Sequence, residues 1–263
     1  MRNDTDVFED SRLQTTAFRR LLNASNSVGD AGETSVSVAA ILLFYLTIFV
    51  FGSSALAAHC KGWPEPGVNW SECNKSRLML AGADLEGANL FGANFTMTDL
   101  RDANLRFANL EKAKLVRASL DGASARKTTF ARAEAYRASF VRFFAQDVSF
   151  EGAELQRADF SRADLVRVNF EKSELGRAKF GGAKLQDVHF SRANLSRADF
   201  SGASFAGFSK FDRSILFLTR IEGADLSAAT GLQQSQIDTA CGDADTKLPP
   251  GLSVPASWPC MFD

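Results

Sequence analysis

The chain has 263 residues, with 30 basic and 31 acidic side chains and a formal net charge of −1. It contains only two histidines, His59 and His189, and no glycine-rich phosphate loop. No His and Asp pair is available to activate a serine nucleophile. We therefore expect a protein that is not an enzyme and that carries no cofactor.

The first two segments of the chain differ sharply in polarity. Residues 1–34 are polar and rich in Asp, Asn and Ser, which favours a disordered tail. Residues 35–58 contain no charged side chain and approach the ~20 residues that a membrane-spanning helix needs. Small residues that end near Ala58 also match the A-x-A pattern of a signal-peptidase site. The segment predicts either a transmembrane helix or a cleaved signal.

Basic residues indicate the orientation of this apolar segment. Arg19 and Arg20 precede it, and no comparable basic pair follows it closely. The positive-inside rule then places the amino terminus in the cytoplasm. We expect a single-pass membrane protein whose remaining chain is extracytoplasmic. Cleavage near Ala58 would instead give a secreted or periplasmic protein.

A five-residue unit recurs without a gap from Ala83 to Phe205. Every fifth position from Leu85 to Phe205 is Leu or Phe, except at three places where it is Ala, and the position two places earlier is Ala in most units. A helix repeats at about 3.6 residues and a strand at about 2, so neither fits this period. The pattern requires a coil that turns two side chains of each unit inward and three outward.

The units have the form A(D/N)LXX, as in Ala83-Asp84-Leu85, and over residues 76–228 they resemble the pentapeptide-repeat proteins. The resemblance implies an all-β fold, a right-handed quadrilateral β-helix with four units in each coil. Side chains 20 positions apart then share a face, and two faces carry columns of Phe. These columns are Phe130, Phe150, Phe170 and Phe190, and Phe140, Phe160, Phe180 and Phe200.

Two irregularities interrupt the repeat. The central residue is Ala at positions 125, 135 and 145, but Phe143 fills the normally small place before Ala145, which roughly conserves volume. We expect a local distortion there and no break. After Phe205 the five-residue step continues one residue out of phase from Phe211, which predicts a bulge near residues 206–210.

The segments on either side of the repeat, residues 59–75 and 229–263, break the period and are expected to cap its ends. They contain all four cysteines, which are Cys60, Cys73, Cys241 and Cys260. Four cysteines allow three pairings. The two local pairs are favoured because the ends of the solenoid would lie roughly 34 Å apart. A metal site is disfavoured because no C-x-x-C pair is present.

Arginines that recur at every fourth unit form a predicted ladder along one edge, consisting of Arg117, Arg137, Arg157, Arg177 and Arg197. Glu134, Glu154 and Glu174 each lie three places before one of them. One interpretation is a row of exposed ion pairs, each worth at most about 1 kcal/mol. The other is a surface for a partner, since residues 112–197 carry 17 basic against 10 acidic side chains.

The sequence predicts a non-enzymatic structural or interaction module, tethered to a membrane or exported, that presents charged ladders to an unknown protein or an anionic surface. Direct nucleic-acid binding is not expected. The alternative is a topoisomerase-modulating protein of the quinolone-resistance type. Members of the family with that role imitate DNA with an acidic rod, and the basic balance of residues 112–197 departs from that pattern.

Overall fold

The computed structural model describes residues 59–260, which belong to one compact unit of the chain. The polar tail and the apolar segment predicted over residues 1–34 and 35–58 lie outside the described residues. Among residues 59–260, no helix combines the length and the apolar character needed to cross a bilayer.

The described chain is a parallel β-solenoid with four faces, in which one coil advances the chain by 20 positions. In one coil, for example, Asp84, Asn89, Asn94 and Asp99 each form a parallel bridge to the equivalent residue of the next coil. The first such bridge joins Asn69 to Asn89, so the ladder includes part of the segment 59–75. The all-β solenoid predicted from the five-residue period is confirmed.

One face forms a five-stranded parallel sheet in the order β1-β2-β3-β4-β5. In each strand the middle residue points inward, and Ala125 of β1 aligns with Ala145 of β2. The strands are β1 Ser124–Arg126, β2 Phe144–Gln146, β3 Asp164–Val166, β4 Lys184–Gln186 and β5 Ser204–Ala206.

The sheet face differs because its turns are open. Elsewhere a turn is closed by a bond such as that from Ala158 N to Leu155 O, at 3.0 Å. After β1 to β4 the equivalent residue is β-branched, namely Thr128, Val148, Val168 and Val188, and within residues 59–260 it makes no such bond. β-Branched side chains favour extended backbone. They are not sufficient alone, since Thr98 keeps its bond to Phe95 O at 3.0 Å.

The core consists of the central apolar residues and the small residues that precede them. The Phe130 column stacks with centroids 4.7 to 5.3 Å apart, and the Phe140 column with centroids 4.6 to 5.1 Å apart. Rings of the two columns meet edge to face, as Phe160 and Phe170 do at 5.5 Å. Both arrangements are favourable for aromatic pairs.

Both predicted irregularities are present. Phe143 is fully buried and contacts Phe140 edge to face at 5.2 Å, while the ladder through β2 stays in register. The bridges that cross residues 206–210 join positions 21 apart instead of 20, from His189 with Lys210 to Asp199 with Arg220. The extra residue forms a bulge at which Phe208 N donates to Asp187 Oδ1 at 3.0 Å.

The amino-terminal end is held by a disulfide between Cys60 and Cys73, the local pair that the sequence favoured. Lys75 Nζ donates to Cys60 O at 2.6 Å and lies 3.7 Å from the Trp70 ring centroid. Burial lowers the pKa of Lys75. This packing covers the first coil with polar and aromatic groups from the same segment.

The carboxyl-terminal end is covered by helix α1, Gln234–Ile237. Gln236 Nε2 donates to two carbonyl oxygens of the preceding coil, Phe211 O at 3.1 Å and Ser214 O at 2.8 Å. A second disulfide joins Cys241 to Cys260, again the local pair. These contacts satisfy backbone groups that a solenoid end would otherwise expose.

We predict that Phe170→Ala lowers the free energy of unfolding by about 3 to 5 kcal/mol, because it leaves a cavity between two stacked rings. Phe170 is fully buried between Phe150 and Phe190. Denaturant unfolding measures the change. Arg157→Ala is the control, expected to change stability by less than roughly 1 kcal/mol. Equal losses in the two variants would contradict the assignment of inside and outside.

Reduction of both disulfides should loosen the ends of the solenoid while the central coils stay folded. Each bridge closes a short loop, with a sequence separation of 13 for Cys60 to Cys73 and 19 for Cys241 to Cys260. Loops of that size correspond to about 3 kcal/mol each. Hydrogen exchange with and without a reductant tests this. A uniform loss of protection along the whole solenoid would contradict it.

Candidate functional site

The five arginines of the predicted ladder lie in one column at a corner of the solenoid, and we call this column the arginine ridge. Each is the third residue of a four-residue turn, as Arg157 is between Leu155 and Ala158. That turn position requires a positive φ. The five φ values lie between 56° and 60°. Left-handed backbone is unfavourable for residues with a Cβ, so glycine would suit these positions better.

Backbone hydrogen bonds fix the spacing of the ridge. Each ridge arginine donates its N–H to a carbonyl of the next coil, for example Arg157 N to Gly176 O at 2.9 Å and Arg197 N to Phe217 O at 2.8 Å. Stacked coils rise by about 4.8 Å. The guanidinium groups therefore extend from positions repeated at that short step, and all five side chains are exposed.

The row of ion pairs expected along this edge is not found in residues 59–260. Glu134, Glu154 and Glu174 form no salt bridge with the ridge. In a helix, side chains three residues apart meet. Here the glutamate lies on a flat face and the arginine beyond the next bend. Glu174 instead accepts a hydrogen bond from Asn194 at 2.9 Å.

The neighbouring corner behaves differently. Its cations occupy the same turn position, with φ between 55° and 59°, and are Lys112, Arg132, Lys172, Arg192 and Arg213. Three of them form an ion pair to an earlier coil, whereas Lys112 and Arg213 form none within residues 59–260. The pairs are Arg132 to Glu111 at 3.6 Å, Lys172 to Glu151 at 3.0 Å and Arg192 to Glu171 at 3.8 Å. We call these three residues the paired corner. The hydrogen bond to Glu151 raises the pKa of Lys172.

Within residues 59–260, the ridge guanidinium groups make no ion pair or side-chain hydrogen bond. Arg137 alone has an aromatic contact, 5.2 Å from the Tyr136 ring centroid. The ridge thus presents five positive charges that the described chain leaves available for an anionic group.

Exposed apolar side chains lie at both ends of the ridge, and sequence reasoning missed them. Met97 is 44% exposed one coil before Arg117 in the same column, and Phe217 is 50% exposed beside the other end, next to Ile215 at 53%. The spacing of 20 residues between Met97 and Arg117 could have revealed that Met97 lies in the column. The position of Phe217 is harder to predict, because one residue is added to the repeat after Phe205.

The two histidines lie away from the ridge. His189 is half-buried in a cleft of about 310 Å³ with Arg167 and Asp187. Burial, and then the charge of Lys210, lower the pKa of His189 and favour its neutral form.

His59 lies beside the first disulfide, which the sequence did not indicate. Its Nε2 is 3.4 Å from Cys73 Sγ and 3.9 Å from Cys60 Sγ. Three potential ligand atoms therefore lie together. Because both sulfurs are joined in a disulfide, they are not available as thiolate ligands.

Family models match most of the solenoid. The model of the pentapeptide repeat region matches residues 143–226, and the model of pentapeptide repeats in eight copies matches residues 76–106 and 103–141. No curated protein sequence is significantly similar to the chain.

Several solved structures are similar, including the three that follow. HetL from the cyanobacterium Nostoc sp. strain PCC 7120, a protein involved in the regulation of heterocyst differentiation, is 24% identical over 77% of this chain and 98% of its own, with a TM-score of 0.39. QnrB1, a plasmid-mediated fluoroquinolone resistance protein, is 16% identical over 67% and 94%, with a TM-score of 0.41. A protein from the Arabidopsis thaliana thylakoid lumen is 31% identical over 37% and 59%, with a TM-score of 0.30. From the matched repeats, the chain belongs to the pentapeptide repeat family.

Proposed function

We propose that this protein is a non-enzymatic interaction module that binds an anionic partner through its arginine ridge. The observation that carries the proposal is the contrast between two corners of one solenoid. Three cations of the paired corner are neutralised by glutamates, whereas the five ridge arginines have no acidic partner within residues 59–260.

The arginines of the ridge lower the stability of the isolated domain. Two unit charges about 4 Å apart repel by about 1 kcal/mol in water, and the ridge places four successive pairs at a similar step. Its backbone would also accept glycine, as the next corner does at Gly122, Gly182 and Gly202, where that column also contains Arg142 and Arg162. The presence of arginine at five successive positions of the column supports a role for these side chains outside the fold.

The alternative of a DNA-mimicking topoisomerase modulator requires an acidic surface. Of 22 non-glycine residues with positive φ, 15 are Arg or Lys. These residues occupy turn positions at the corners of the solenoid, and they give the corners a basic character. No observation on the described chain favours the alternative.

The proposed location is extracytoplasmic, with the chain tethered or exported by residues 35–58. The support comes from the apolar sequence of that segment and from the two disulfides that flank the solenoid. Structural disulfides persist in oxidising compartments and are rare in the cytosol.

We predict that replacing Arg137, Arg157 and Arg177 together by Gln weakens binding to a heparin-coated surface by about 10- to 100-fold, at roughly 0.5 to 1 kcal/mol for each lost contact. Binding of the full-length protein in neutral-lipid nanodiscs, measured by surface plasmon resonance at low salt, gives the change. Heparin is used here only as a polyanion probe.

The matched control replaces Arg132, Lys172 and Arg192 of the paired corner by Gln, which removes the same three charges. Because those cations are already neutralised, we expect a loss of less than about threefold. Equal losses in the two triple variants would show that net charge alone determines binding, and would refute the ridge as a site.

The location has its own test. If the solenoid is extracytoplasmic, Cys60, Cys73, Cys241 and Cys260 should be oxidised in cells and resist thiol labelling until a reductant is added. Protein from intact cells is trapped with acid and then alkylated. Four freely reactive thiols would contradict export. Export would also be contradicted if an external protease, added to cells whose outer layers it can pass, left the solenoid uncleaved.

A further inference from the structure

We propose that the anionic partner of the ridge is a lipid bilayer that contains anionic headgroups, along which the solenoid lies with its axis parallel to the surface. This inference rests on the proposed function and names the partner of the same site. Three features of the ridge favour a membrane over other anionic partners, namely its composition, its shape and its chemistry.

The composition combines a basic row with apolar ends. The corner column runs from Arg77 through Met97 and the five arginines to Leu218, as the backbone bonds from Arg77 N to Thr96 O, from Met97 N to Val116 O and from Arg197 N to Phe217 O establish. Beside the ends of this column lie Leu78, Met79, Ile215 and Phe217. Together with Met97 these residues make five of the ten large hydrophobic side chains exposed within residues 59–260.

A basic row with flanking Phe, Leu and Met is the composition of surfaces that bind membranes peripherally. The cations contact headgroups, while the apolar side chains reach the boundary between headgroups and acyl chains. A soluble polyanion such as a nucleic acid or an acidic polysaccharide would leave Met97, Ile215 and Phe217 without a role. The exposed apolar residues at both ends therefore favour a bilayer.

The shape of the ridge also fits a flat surface. It lies on a convex corner, and its step from coil to coil is fixed because each arginine N–H is bonded to the next coil at 2.8 to 3.0 Å. Four steps of about 4.8 Å give a row of roughly 19 Å. All five side chains can then contact a planar surface at the same time, whereas a folded ligand would be better held in a concave site.

The chemistry of the side chain fits phosphate. Guanidinium groups bind phosphate oxygens with two parallel hydrogen bonds and are more weakly hydrated than ammonium groups. The ridge contains Arg at all five positions, although Lys occupies one of the three positions of the paired corner. Each basic residue near an anionic bilayer strengthens binding by about fivefold, an effect that salt screens.

The experiment places a photo-cross-linker at two exposed phenylalanines on different faces. Phe217 adjoins the ridge, and Phe144 lies on β2 of the sheet face and is 60% exposed. Full-length protein with Phe217→p-benzoyl-phenylalanine or Phe144→p-benzoyl-phenylalanine is reconstituted into vesicles of phosphatidylcholine alone or with about 30% phosphatidylglycerol, at an ionic strength for which the Debye length is about 10 Å. Lipid adducts are quantified by mass spectrometry.

Any insertion of residues 35–58 is the same in all samples, so it cancels in the comparison. We expect adducts at position 217 in phosphatidylglycerol vesicles, at least tenfold above those in phosphatidylcholine and above those at position 144. Replacing Arg137, Arg157 and Arg177 by Gln should remove about 100-fold of this affinity and hence the adducts. The paired-corner triple variant should keep them.

Equal adduct yields at positions 217 and 144, or in the two lipid compositions, would overturn the membrane proposal. If heparin binding still depends on the ridge in that case, the proposed function stands and the partner is a soluble polyanion or an acidic protein. If neither lipid nor heparin recognises the ridge, both proposals fail. The wild-type and variant melting temperatures establish that each variant is folded.

Discussion

The parallel backbone ladder between equivalent residues of successive coils is the constraint on which the rest of this structure depends. It forces side chains of successive coils into columns, inside and outside alike. For phenylalanine rings the imposed spacing of 4.6 to 5.3 Å is favourable, because the rings stack. For guanidinium groups a similar step is unfavourable, because equal charges repel. The stacking of the interior rings therefore stabilises the solenoid by itself, whereas the repulsion along the ridge is relieved only by anions outside the fold.

The interior could be predicted almost fully from the sequence. Buried positions accept a narrow set of residues, so the Leu and Phe at every fifth place determined the coil and the two aromatic columns. Two irregularities could also be predicted. Phe143 places a large side chain at a position that is otherwise small, and the step to Phe211 adds one residue to the five-residue period. The structure confirms the solenoid, the buried Phe143 and the bulge.

The outside was less predictable, because its contacts form between coils and depend on side-chain conformation. The pairing of Lys172 with Glu151 joins residues of successive coils, while the expected pairing of Glu154 with Arg157 is absent from the described residues. His59 lies 3.4 Å from Cys73 Sγ although the two residues are 14 positions apart, a contact that no pattern in the sequence indicates. The open turns after β1 to β4 reflect β-branched residues whose effect varies with position, as Thr98 shows.

Because one coil consists of four units, the number of units between two residues determines their angle about the solenoid axis as well as their distance along it. An insertion of four units would add a whole coil and leave every later column in place. An insertion of a single unit would rotate all later residues by a quarter turn about the axis, and the arginine column would continue on a different corner. The slip at residues 206–210 adds only one residue, which the bulge absorbs, so Leu218 still follows Arg197 in line. Changes in length can therefore lengthen or redirect the binding edge of such a rod without any change in its core.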